Sequence, residues 1–213
     1  MAHIHLEDGS FTLFWVLAWW IIALVLIGII LFWLRLVKKT DNRMITIAAF
    51  CTAASFAIFQ VSIPIAGGVH MNLTPLIGIL TGPFVGGLII FIVNILSAAI
   101  GHGGWGMIGA NTLVNATEVV AAYLIYRGLK SAGVGTFSRT GIATIAALFI
   151  GNLVMMGIII LSGIQGSSLT ADQTLGGLSL LVAVNMAVAV VEAVVTAFIV
   201  TYIERRRPDM LGA

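Results

Sequence analysis

From Gly9 to Leu34 the chain carries no charged side chain, a run longer than the ~20 residues that take a helix across a ~30 Å hydrocarbon core. That one stretch commits the protein to a lipid bilayer. Composition extends the conclusion to the remainder: 60% of the 213 residues are hydrophobic, 8% are charged and mean hydropathy is +1.14. No water-soluble domain of this size could carry such a balance on its surface. A secretory signal would have a basic start, a shorter apolar stretch and a small-residue cleavage site. Here the start "MAHIHLEDGS" is acidic and the run too long, so the N-terminus is expected to stay in the mature protein. The single Cys51 lies inside an apolar stretch and forms no internal disulfide.

Charge punctuation divides the chain, read as one membrane domain over 1–213, into spans at about 11–34, 44–63, 70–81, 84–101, 107–126, 140–163 and 177–203. Pro64 and the paired glycines of "IPIAGG" end the second span, and "TGP" at 81–83 interrupts the long uncharged tract that follows. Counting that tract as two crossings places the basic clumps at 35–43, 127–139 and 205–207 on one side, so that all ten Lys and Arg face the cytoplasm. The sequence therefore predicts an all-α integral membrane protein with seven transmembrane helices, N-terminus outside and C-terminus cytoplasmic. The third helix is the short one: 71–81 rises only about 16 Å at 1.5 Å per residue, so it must begin earlier or stay buried among its neighbours.

This topology puts His3, His5, His70 and His102, the only histidines, on the outer side. Imidazole is the commonest neutral metal ligand, so an all-outside set suggests a site that collects a transition metal from outside. If Met1 is removed, the amine of Ala2, the ionised amide nitrogen of His3 and its ring Nδ1 give three nitrogens in one plane. His70 would then complete a square-planar set, the geometry that favours Ni(II) or Cu(II). If Met1 stays, Met1, Ala2 and His3 already provide four planar nitrogens and His70 becomes axial. His5, His102 and Asn111 are further candidates as ligands or as groups that orient the ligands.

Other polar residues lie inside the predicted spans. Asn111, Asn115 and Glu118 follow at spacings of four and three and share one helix face. With Asn94, Asn152, Asn185 and Glu192 they could form a buried network that orients the ligand loops, although asparagines in membranes also simply bridge helices. An intramembrane carboxylate is costly and marks a functional candidate. Glu118 and Glu192 nevertheless fall in the middle or cytoplasmic half of their helices, away from the histidines, so neither is assigned as a ligand. In the second span Ala49, Ala53 and Ala57 recur every four residues, with Ala48 and Ala54 beside them, a smooth stripe against which another helix can pack.

The segments "IPIAGGVHMNLTPLIGILTGPFVGGL" (63–88) and "NILSAAIGHGGWGMIGANTLVNA" (94–116), with a small residue and then His at the start, resemble the cobalt/nickel substrate-binding component of energy-coupling-factor transporters, the CbiM/NikM family. "HGGWGMIGAN" is similar to the family's GG-x-x-x-x-GAN pattern. The resemblance implies a six-helix S-component core plus an extra N-terminal helix. It also implies capture of Co2+ or Ni2+ as transported substrate, with no cofactor, by the terminal amine of Ala2, by His3 and by His70. It further implies that the alanine stripe of 49, 53 and 57 contacts a transmembrane coupling subunit, within a complex that includes cytoplasmic ATPases and a small accessory membrane subunit. The family usually starts with Met followed directly by His, and excision of Met1 ahead of Ala2 would restore that geometry.

The sequence has no G-x-x-x-x-G-K-[ST], so energy for uptake must come from other chains. An intramembrane metalloenzyme would want a general base close to the histidines, but the acids nearest them are Glu7 and Asp8 on the tip, and no H-E-x-x-H pair occurs. A channel or structural membrane protein, with incidental histidines, is the other alternative. No feature points to nucleic acid.

Overall fold

The computed structural model describes residues 4, 6–36, 42–60 and 70–210. Among them are six helices: α1 (Leu13–Leu36), α2 (Asn42–Phe59), α3 (Thr74–Ala99), α4 (Ile108–Ser131), α5 (Thr136–Ser162) and α6 (Ala171–Arg206). Short 3-10 turns occupy Trp105–Met107 and Pro208–Met210, and no strand occurs among the described residues. All six helices are long and apolar enough to cross a membrane. The protein is an all-α, multi-pass membrane protein.

The expected spans 70–81 and 84–101 fall within one helical element, α3, which breaks at Gly82 (φ 74°, ψ 177°). Glycine reaches that conformation without a Cβ penalty, and Pro83 has no N–H with which to continue the helical ladder. Thr81 closes the first half by donating its hydroxyl to the Ile77 carbonyl at 2.8 Å. The two halves lie against each other. A Cβ on Gly86 would sit 3.3 Å from Ile77 Cγ2, although nine residues of straight helix extend about 13.5 Å. Gly78 and Gly86 both press on Val119 of α4, which leaves neither position room for a side chain. Every residue from Thr74 to Thr81 is buried, so this short segment meets protein and not lipid on all sides.

α4 is the centre of the bundle, packed against α3, α5 and α1, while α5 packs on α6 and α2 on α3. α1 buries only Ala23, Ile27 and Ile30, a stripe one residue wide at helical spacing. Trp15, Val16, Trp19, Leu26 and Leu34 are partly covered by the bundle, and exposed side chains such as Leu17, Ile21 and Val25 are available to lipid. At Gly109 of α4 the contact is backbone to backbone: a Cβ there would lie 2.6 Å from both Trp19 C and Trp20 N. Such close approach at a small residue is how helices associate in lipid, where no hydrophobic force draws them together. Trp19 adds a hydrogen bond from Nε1 to Ser162 Oγ at 2.8 Å.

α6 starts six residues before the expected span because Thr170 and Gln173 form a reciprocal capping box, which satisfies two N-terminal amides. At the opposite end of this helix Arg139 pairs with Glu204 and donates to Tyr126 Oη at 3.0 Å, while Thr136 donates to Glu204. Arg139, expected in a basic loop, is thus a buried residue of α5 that ties α4, α5 and α6 together.

Candidate metal site

His70 precedes α3, and His102 lies in the turn between α3 and α4. The fold brings the two imidazoles to 4.7 Å between ring centroids. Phe59, the last residue of α2, packs 4.4 Å from His70 and 4.9 Å from His102. Phe59 belongs to the buried face of α2, Ile47, Cys51, Ser55 and Phe59, whose four-residue spacing is its only signature in the sequence. His70 is 1% exposed. Burial lowers the His102 pKa below the ordinary histidine value, because a desolvated imidazolium is disfavoured, so near pH 7 the ring keeps a lone pair.

The N-terminal segment docks at the same turn. Asp8 accepts from the backbone N–H groups of Trp105 at 3.2 Å and Gly106 at 2.7 Å, and Gly104 and Gly106 lack the side chains that would displace it. Asn111, in the first turn of α4, pairs both ways with the backbone of Ile4. Ile4 N donates to its Oδ1 at 2.7 Å, and its Nδ2 donates to Ile4 O at 3.2 Å. Ile4 itself is 1% exposed, clustered with Met107, Ala110, Val114 and Met155. Ala2, His3 and His5 lie outside the described residues. Among the described residues no group of three or more His, Cys, Asp or Glu is placed to hold a metal. His70 and His102 are two imidazoles, so a complete coordination shell at this position needs further donors.

The loop that follows His70 is held from three helices. Ser55 of α2 donates to Asn72 O at 2.6 Å. Asn72 Nδ2 donates to Glu118 Oε2 of α4 at 3.2 Å, and the Thr74 hydroxyl donates to the same oxygen. Leu73 N donates to Glu192 Oε1 of α6 at 3.1 Å. The sequence assigned neither carboxylate as a ligand and offered both as part of a buried network that orients the ligand loops; in the structure they bond to residues 72–74, two to four positions beyond His70. Gly151 of α5 makes space for the Glu118 side chain, which a Cβ there would strike.

The asparagines divide by role. Asn115 Nδ2 donates to Asn94 Oδ1 at 3.3 Å and Asn94 Nδ2 to Thr112 Oγ1 at 3.4 Å, joining α3 to α4. Asn185 Nδ2 donates to Asn152 Oδ1 at 2.8 Å, joining α6 to α5. These are helix-to-helix bridges. Of the asparagines considered, Asn111 is the one bonded to the N-terminal segment. Ala49, Ala53 and Ala57 are exposed on α2, on the side away from its buried face.

A family model for CbiM, described as "Cobalt uptake substrate-specific transmembrane region", matches residues 5–210. The chain belongs to the CbiM family. It is 27% identical over 211 residues to the cobalt transport protein CbiM of Salmonella typhimurium, across 95% of this chain and 84% of that one. It is also 27% identical over 216 residues to an Archaeoglobus fulgidus protein named for fused nickel transport, NikMN, across 97% of this chain and 68% of that one. The fold matches the crystal structure of a truncated transition metal transporter with a TM-score of 0.80 at 19% identity, over 95% of this chain and 99% of that one. A second transition metal transporter matches with a TM-score of 0.79 at 18% identity, over 95% and 93% of the two chains.

Proposed function

We propose that the protein is the substrate-specific subunit of an ATP-driven energy-coupling-factor importer, capturing Co(II) or Ni(II) at the outer membrane face with the terminal amine, His3 and His70. The observation that carries this reading is the docking of the N-terminal segment. Asn111 and Asp8 fix Ile4 and the following loop into the bundle beside the turn that bears His102, and His102 touches His70. A tip that only sealed the bundle would need neither histidine. Nitrogen donors in a planar set suit Ni(II), and cobalt is the substrate in the family's description.

We further propose seven crossings, with the N-terminus outside and the C-terminus cytoplasmic. The fold-back at Gly82 supports counting the halves of α3 separately, and that count keeps all ten Lys and Arg on one side. The exposed stripe of Ala49, Ala53 and Ala57 is then the face offered to a transmembrane coupling subunit, with ATP hydrolysis carried out by cytoplasmic partners. In cells expressing the complete complex, radiolabelled Co(II) or Ni(II) should accumulate, and His3→Ala should bring uptake down to that of cells lacking the complex. Accumulation of neither metal above the His3→Ala control would contradict the assignment.

A further inference from the structure

Leu73 is the one non-glycine residue with positive φ among the described residues (φ 59°). A side chain with a Cβ is disfavoured in the left-handed region, and such a conformation persists only where its surroundings over-determine it. Leu73 is 3% exposed, packed within the main hydrophobic cluster, and its N–H donates to Glu192. On either side, Glu118 receives Asn72 and Thr74. Two carboxylates from α4 and α6 therefore hold consecutive residues of one loop, and His70 stands three positions before the strained one.

We propose that Glu118 and Glu192 are positioning residues for the metal site: as hydrogen-bond acceptors they fix residues 72–74, and through them the imidazole of His70. The proposal rests on His70 being a ligand. Without the Glu192 acceptor the buried Leu73 N–H has no partner, which favours any rearrangement that satisfies it. The left-handed turn then loses its support, and His70 is no longer held in one position.

Positioning and simple packing make opposite predictions for an apolar isostere. Glu192→Met keeps the volume and removes the carboxylate, which lifts the cost of burying it but leaves the Leu73 N–H without an acceptor. Glu192→Gln keeps an acceptor of the same shape. Purified full-length protein in lipid nanodiscs would be titrated with Ni(II) and with Co(II), following the ligand-field absorption, alongside thermal unfolding. Glu192→Met should keep a cooperative unfolding transition yet bind metal roughly 10–100-fold more weakly, the range typical of groups that orient metal ligands, with an altered absorption band. Glu192→Gln should bind nearly as wild type, and Glu118→Met should weaken binding as Glu192→Met does. Wild-type affinity in Glu192→Met, or equal losses in Glu192→Met and Glu192→Gln, would overturn the proposal. If His70→Ala loses binding while both Met variants keep it, this inference alone fails. If the wild type binds neither metal, the assigned function fails with it.

Discussion

His70→Ala is expected to weaken Ni(II) and Co(II) binding by more than about 100-fold, since changes to groups that merely orient a ligand already cost 10–100-fold. His70 is 1% exposed and lies where α2, the α3–α4 turn and the loop into α3 meet. His102→Ala separates two arrangements. The rings touch at 4.7 Å between centroids, so a small loss on replacing His102 would mark it as packing that seats His70. A loss equal to that of His70→Ala would make it a ligand. Isothermal titration of the two variants, with unfolding temperatures as a control for folding, gives the comparison.

Gly109→Val is expected to abolish tight metal binding by displacing α1, whose backbone lies against Gly109. A Cβ at this position would meet Trp19 C, Trp20 N and Trp19 O at 2.6, 2.6 and 2.8 Å, all backbone atoms that cannot swing aside. α1 must then move off α4. With it go the Trp19 bond to Ser162 and the seating of Asp8 on Trp105 and Gly106, so the tip loses its anchor. Affinity should fall to the level of His3→Ala. Gly128→Ala on the same helix is the matched control, because a Cβ there meets nothing within 4 Å, and it should bind as wild type. Normal binding by Gly109→Val would show that α1 docking does not place the tip.

The membrane class and the all-helical character were legible because they depend on local composition. So was the small-residue face of α2, whose four-residue repeat leaves Ala49, Ala53 and Ala57 exposed opposite Phe59. The contact of His70 with His102 was not legible, because a topology assigns residues to a side and says nothing of distances within it. The particular partners of Glu118 and Glu192 were hidden for a related reason. Their partners are the Asn72 amide, the Thr74 hydroxyl and the Leu73 backbone N–H, 44 to 119 residues away in sequence, and depth along a helix does not reveal that a loop descends to meet it. "TGP" at 81–83 signalled a break and charge asymmetry favoured two crossings there, but the packing of Ile77 on Gly86 could not be read from the sequence.

The most direct test is made at the tip itself. The N-terminal residue of the purified protein would be identified by mass spectrometry, and native mass spectrometry and titration would then count and measure Ni(II) and Co(II) bound to wild type and His3→Ala. Wild type should hold a single tight metal per chain, with a free terminal amine, and His3→Ala should lose that metal. Undiminished binding by His3→Ala would show that the tip is not the site, and would return the histidines to the status of ordinary packing residues in a membrane bundle.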